Sequence, residues 1–125
     1  MSVLSPSPST IVLVEDDEAV RSALTFTLQL EGWTVIGLAS GEALLEMALP
    51  AGPTCLVLDQ LLEGISGLDA LSALRERAVT APAILITTHP PAAVRRRARS
   101  LGATLIEKPL LSDRLLATIR RDLAA

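Results

Sequence analysis

The chain has 125 residues, half of them apolar but only 2% aromatic, and a formal net charge of −3. This length fits one domain with an aliphatic core, and the acidic balance argues against non-specific attraction to nucleic acid or anionic lipid. A single cysteine, Cys55, excludes an intrachain disulfide and a cysteine-rich zinc site, and no apolar run is long enough to span a bilayer.

Residues 1–10 (MSVLSPSPST) are rich in Ser and Pro and read as a disordered lead-in to a domain over 11–125. The first basic residue is Arg21, so the start lacks the basic region of a secretory signal. Ile11-Val12-Leu13-Val14 is a candidate buried strand. A helix over about 18–31 follows, with Val20, Leu24 and Leu28 as an apolar stripe and Gly32 at its end. Trp33 to Leu38 is a second strand candidate. Ser40 then caps a helix rich in Ala, Leu and Glu, expected to run to about Leu49 before a turn from Pro50 to Pro53. Cys55-Leu56-Val57-Leu58 is a third strand that ends at Asp59.

A loop with Gly64 and Gly67 leads into a helix carrying Leu68, Leu71 and Leu74. Ala83 to Thr87 is a fourth strand, broken by His89-Pro90-Pro91. The next helix turns Val94, Ala98 and Leu101 inward and stops at Gly102. Ala103 to Ile106 is a short fifth strand, and Ser112 caps a last helix whose Leu115, Ile119 and Leu123 share a face. These are five β/α units whose strands are continuous apolar runs, as expected for a parallel sheet covered on both faces. The fold class is α/β, an open, doubly wound, five-stranded parallel sheet, and its active groups belong at the carboxyl ends of the strands.

Those ends carry unusual chemistry. Strand one runs into Glu15-Asp16-Asp17, strand three into Asp59, strand four into Thr87-Thr88, and strand five into Glu107-Lys108-Pro109. Singly, an acid at a strand-to-helix junction often only caps the helix, and a lysine is often only solvated. Together they would set three or four carboxylates beside a hydroxyl and an ammonium. Clustered carboxylates repel, and a hard divalent cation such as Mg²⁺ resolves that repulsion while leaving room for phosphate oxygens. The set reads as a metal-dependent phosphoryl site with a carboxylate nucleophile.

At these residues the chain resembles the receiver domains of response regulators. Val14-Glu15-Asp16-Asp17-Glu18 is similar to the family's acidic motif, and Leu56-Val57-Leu58-Asp59 to its phospho-acceptor strand. Asp59 and Gly67 stand at the family's offset of eight (67 − 59). Ile84 to Thr87 resembles the switch-threonine strand, and Glu107-Lys108-Pro109 the lysine-proline element. The resemblance spans about residues 11–123. It implies strand order 2-1-3-4-5 and a phospho-accepting switch that at most catalyses its own phosphorylation and dephosphorylation. By the same resemblance, Asp59 is the acceptor and a metal ligand. Asp16 ligates Mg²⁺ directly, Glu15 acts mainly through water, and the Leu61 backbone carbonyl is a third protein ligand. Thr87 and Lys108 bind the phosphoryl group, Asp17 starts the helix, and Lys108-Pro109 is cis. The implied setting is cytoplasmic. The implied partner is a sensor histidine kinase or a phosphotransfer protein, with a homodimer as a further assembly and no direct contact with nucleic acid or membrane.

Departures are visible. Glu63 stands where the family usually has Pro, Thr88 where it has Ala or Gly, and Leu105 where it has an aromatic ring. The span from Thr87 to Lys108 is 21 positions (108 − 87), about one fewer than usual. These keep a second reading open, a pseudo-receiver that binds partners without phosphorylation. A flavin binder would need a Gly/Ser/Thr-rich anion cradle in place of the acids after strand one. A hydrolase with an aspartyl intermediate would want a carboxylate where Leu61 stands. Arg95, Arg96, Arg97 and Arg99 form either a docking face or a solvated helix face.

Overall fold

The computed structural model describes residues 9–110 and 113–124. Its strands are β1 (Thr10–Val14), β2 (Thr34–Leu38), β3 (Thr54–Asp59), β4 (Ala83–Thr87) and β5 (Ala103–Glu107). The helices that alternate with them are α1 (Glu18–Leu30), α2 (Gly41–Glu46), α3 (Gly67–Glu76), α4 (Ala92–Ser100) and α5 (Arg114–Ala124). All pairings are parallel, in the order β2-β1-β3-β4-β5.

Successive side chains of a strand point to opposite faces, and here both faces are covered. Val12, Val14, Leu56, Leu58 and Leu85 pack with Leu44 of α2, Leu68, Leu71 and Leu74 of α3, and Ala98 of α4. Ile11, Leu13, Cys55, Val57, Ile84 and Ile86 pack with Leu28 of α1 and with Leu115 and Ile119 of α5. That two-sided burial is why the central strands read as unbroken apolar runs. Each fully buried aliphatic side chain contributes roughly 1.5–3 kcal/mol.

The register brings the carboxyl ends to one edge. Val14 lies opposite Leu38 and Leu58, Asp59 opposite Ile86, and Thr87 opposite Glu107.

Three expectations need correction. The second helix stops at Glu46 rather than near Leu49. Met47 is extended (φ −87°, ψ 149°), and Met47 and Leu49 reach the core from irregular backbone instead of another helical turn. Val20 does not belong to the buried stripe: it is 40% exposed, while Leu28 is fully buried. It sits in the first turn of α1 and borders the open cavity at the strand ends. The sheet also begins one residue earlier than expected. The Thr10 N–H donates to the Pro53 carbonyl (2.9 Å), and the Ser9 carbonyl accepts from Thr34 (3.2 Å). The rest of the lead-in, and the expected Ser112 cap, lie outside the described residues. Helix α5 does bury Leu115 and Ile119 and packs Leu123 against the same cluster.

Candidate functional site

The acidic run after β1 is fixed at several points. The Glu15 N–H continues the sheet to the Leu38 carbonyl (3.0 Å). The Asp17 N–H donates to Glu15 Oε2 (3.1 Å), and Asp17 itself caps α1 by accepting from the Val20 N–H (3.0 Å). The Arg21 guanidinium, one turn into the helix, donates to the Glu15 carbonyl (2.8 Å). The Glu15 side chain is thereby held in a buried position at the strand end.

Asp59, the last residue of β3, is also buried. Its Oδ1 accepts from the Leu61 N–H (3.0 Å) and its Oδ2 from the Lys108 ammonium (3.0 Å). Lys108 also lies 3.8 Å from Glu15 Oε1, and its own N–H donates to the Thr87 carbonyl (2.7 Å). That bond ties the lysine to the end of β4, where Thr87 is buried. The Lys108-Pro109 peptide is cis. Asp16 is exposed, and its Oδ2 accepts from the Glu63 N–H (3.1 Å).

Glu15, Asp16 and Asp59 each present a carboxylate oxygen within 4.8 Å of the other two. Burial pushes the Glu15 carboxyl up to about 7; the Asp59 charge adds to this, and the Asp17 N–H and Lys108 oppose it. The edge thus carries more negative charge than it can hold easily, with one ammonium inside it. Such a cluster fits a hard divalent cation bound through one or two carboxylates and water. A cavity of about 600 Å³ opens beside it, bordered by Val20, Leu24, Thr88, His89 and Pro109 as well as Glu15, Asp59 and Lys108.

Sequence reasoning named these acids, Lys108 and Thr87, and the fold brings them to one edge. It missed the groups that hold them. Besides Arg21 and the Glu63 N–H, Gln60 accepts from Leu68 through its side chain (2.9 Å) and from Gly67 through its carbonyl (3.2 Å), which fixes the start of α3 beside Asp59. Glu42 of α2 accepts from the Ile65 N–H (3.2 Å). Backbone N–H groups leave no trace in a sequence, and Arg21 is one charged helix residue among several. The Arg-rich helix is partly engaged within the domain. Arg95 pairs with Glu107 (3.2 Å) and Arg97 with Asp69 (2.8 Å), which holds the Asp69 carboxyl below its ordinary value.

The sequence profile of the response regulator receiver domain matches residues 11–120. The chain belongs to that family. The receiver domain is 33% identical to the transcriptional regulatory protein FixJ of Azorhizobium caulinodans over 119 residues, covering 94% of this chain and 56% of FixJ. It therefore spans about half the length of that relative. Among solved structures it resembles the response regulator StyR, with a TM-score of 0.86 and 30% identity over 94% of this chain and 60% of StyR. The BeF3-activated receiver domain of DrrB gives a TM-score of 0.78 and 26% identity, covering 93% and 97% of the two chains. The receiver domain has the five-stranded 2-1-3-4-5 topology expected of its family. Among the described residues, no helix is long and apolar enough to cross a membrane.

Proposed function

We propose that this receiver domain is a Mg²⁺-dependent phospho-acceptor switch in which Asp59 takes the phosphoryl group from a sensor histidine kinase or a phosphotransfer protein. The observation that carries this reading is the Lys108 ammonium on Asp59 Oδ2, within a cluster that also holds Glu15 and Asp16. An Asp59 carboxylate oxygen attacks the donor phosphorus. A new P–O bond forms as the donor's P–N bond breaks, and the imidazole leaves with that bond's electron pair. Lys108 then transfers its hydrogen bonds to the phosphoryl oxygens, and Thr87 supplies a hydroxyl donor from the end of β4. Asp16, Asp59 and the Leu61 carbonyl would hold Mg²⁺, with Glu15 acting through water; the ion offsets charge between carboxylates and phosphate.

The intact acidic trio and lysine favour this reading over a pseudo-receiver. Activation of the similar DrrB receiver domain by BeF3 points the same way. The domain acts in the cytoplasm under this reading. Intact mass after incubation with acetyl phosphate and Mg²⁺ tests the assignment. Wild type gains one phosphoryl mass and Asp59→Asn does not; equal labelling of the two overturns it.

A further inference from the structure

The loop between β3 and α3 presents alternate backbone N–H groups to carboxylates from β3, from the loop after β1 and from α2. Leu61 donates to Asp59 Oδ1 (3.0 Å), Glu63 to Asp16 Oδ2 (3.1 Å), and Ile65 to Glu42 Oε2 (3.2 Å). The middle bond spans 47 residues of sequence and joins the two loops that carry the acidic cluster.

We infer that the Glu63 backbone N–H is a positioning group for Asp16, holding that exposed carboxylate turned toward Glu15 and Asp59 before a cation arrives. The inference rests on the metal-binding reading of the cluster. An aspartate on an exposed loop samples several rotamers, and ordering it on binding costs affinity. A charge-assisted bond to a fixed donor removes that freedom beforehand. The donor is itself well fixed. Asp59 holds the loop two residues upstream and Glu42 holds it two residues downstream. Gly64, between Glu63 and Ile65, lies at φ +81°, a left-handed conformation that favours glycine and turns the loop back toward Glu42. With the side chain so held, a carboxylate oxygen of Asp16 lies within 4.8 Å of one from Glu15 and one from Asp59. A proline at 63, usual in similar receivers, would have no N–H to give. The Glu63 residue thus contributes through its main chain, whatever its side chain.

The test is Mg²⁺ titration followed by amide chemical shifts in wild type, Glu63→Ala and Glu63→Pro. The Ala variant keeps the donor and should bind within about twofold of wild type. The Pro variant should bind about three- to tenfold more weakly, the worth of one partly solvated charge-assisted bond. Equal affinity of the Pro and Ala variants overturns the inference, and so does a loss in Ala as large as that in Pro. Hydrogen exchange keeps the question open to test should the Pro variant fail to fold. Without metal, the Glu63 amide should exchange at least several-fold faster in Asp16→Ala than in wild type, and equal rates overturn the inference. Failure of wild type to bind Mg²⁺ at millimolar concentration would instead refute the metal reading, while the exchange experiment still reports the tether.

Discussion

Gly67 packs so closely on the main chain of Asp59 that a Cβ built on it would stand 2.4 Å from the Asp59 carbonyl oxygen. The offset of eight residues between them therefore has a steric origin: the first turn of α3 is seated against the backbone of Asp59. Because the obstacle is backbone, it cannot swing aside. Gly67→Ala should lower stability by about 1–3 kcal/mol, the range of overpacking within a rigid core. It should also slow acetyl phosphate labelling, because relief of the clash displaces Asp59. Urea unfolding together with intact mass checks this, and a change under about 0.5 kcal/mol would show that the helix start yields freely.

Glu15 makes stability depend on pH. Its carboxyl is raised to about 7 in the fold, chiefly by burial. Below about pH 4.5, the ordinary value, both states are protonated and the group costs nothing. As pH rises towards and through 7 the unfolded chain ionises first, so the fold loses stability across that window. Without divalent cations, Glu15→Gln should gain on wild type more at pH 8 than at pH 5 in paired urea titrations. An equal difference at both values would remove Glu15 as the cause. Mg²⁺ affinity of wild type should also rise between pH 6 and 8, as the carboxyl gives up its proton.

Arg75 fastens the opposite end of the domain. Its guanidinium donates to the carbonyls of Leu101 (2.9 Å), Val79 (3.0 Å) and Ala81 (2.8 Å), joining α3 to the chain entering β4 and to the turn before β5. Arg75→Met should cost about 2–3 kcal/mol, since three carbonyls lose a charged donor. Arg75→Lys should recover only part of this, because one ammonium cannot match the planar fork. Labelling of Asp59 in the folded protein should persist in both. A shift in urea midpoint without a change in slope would mark the loss as native-state stability.

The response to phosphorylation should centre on helix α4. Leu105 offers no ring to swing inward, whereas α4 is held on both sides by Arg95–Glu107 and Arg97–Asp69, and Glu107 adjoins Lys108. The segment leading into it contains His89 at φ +44°, a left-handed conformation unusual for a residue with a side chain. Hydrogen exchange with and without beryllofluoride should change over residues 88–100 more than around Leu105. The reverse pattern would place the moving part in β5.

Much of this was legible in the residues. Strands could be read because both faces of the sheet are covered, and the site because each acid follows directly on the apolar run that carries it. Val20 misled because helical periodicity says which residues align, not whether one of them faces an open cavity. The second helix was drawn too long because Ala, Leu and Glu suit a helix up to Pro50, and only tertiary packing turns Met47 out of it. The supports of the site were hidden for another reason. The Glu63 N–H, the Gln60 carbonyl and the contact between Gly67 and the Asp59 main chain belong to the backbone, which every residue shares.

Trp33 stands just before β2, at the amino-terminal edge of the sheet, with the Arg120 guanidinium 6.0 Å from its ring centroid. A strand rises about 3.3 Å per residue, so the length of the sheet separates this indole from the carboxyl-terminal edge. The only tryptophan in the chain is therefore an optical gauge of how α5 is seated. Its emission should follow denaturation closely and stay flat through metal or phosphoryl titrations. An indole introduced at the exposed Leu61 position would give the dark end of the molecule a fluorophore of its own.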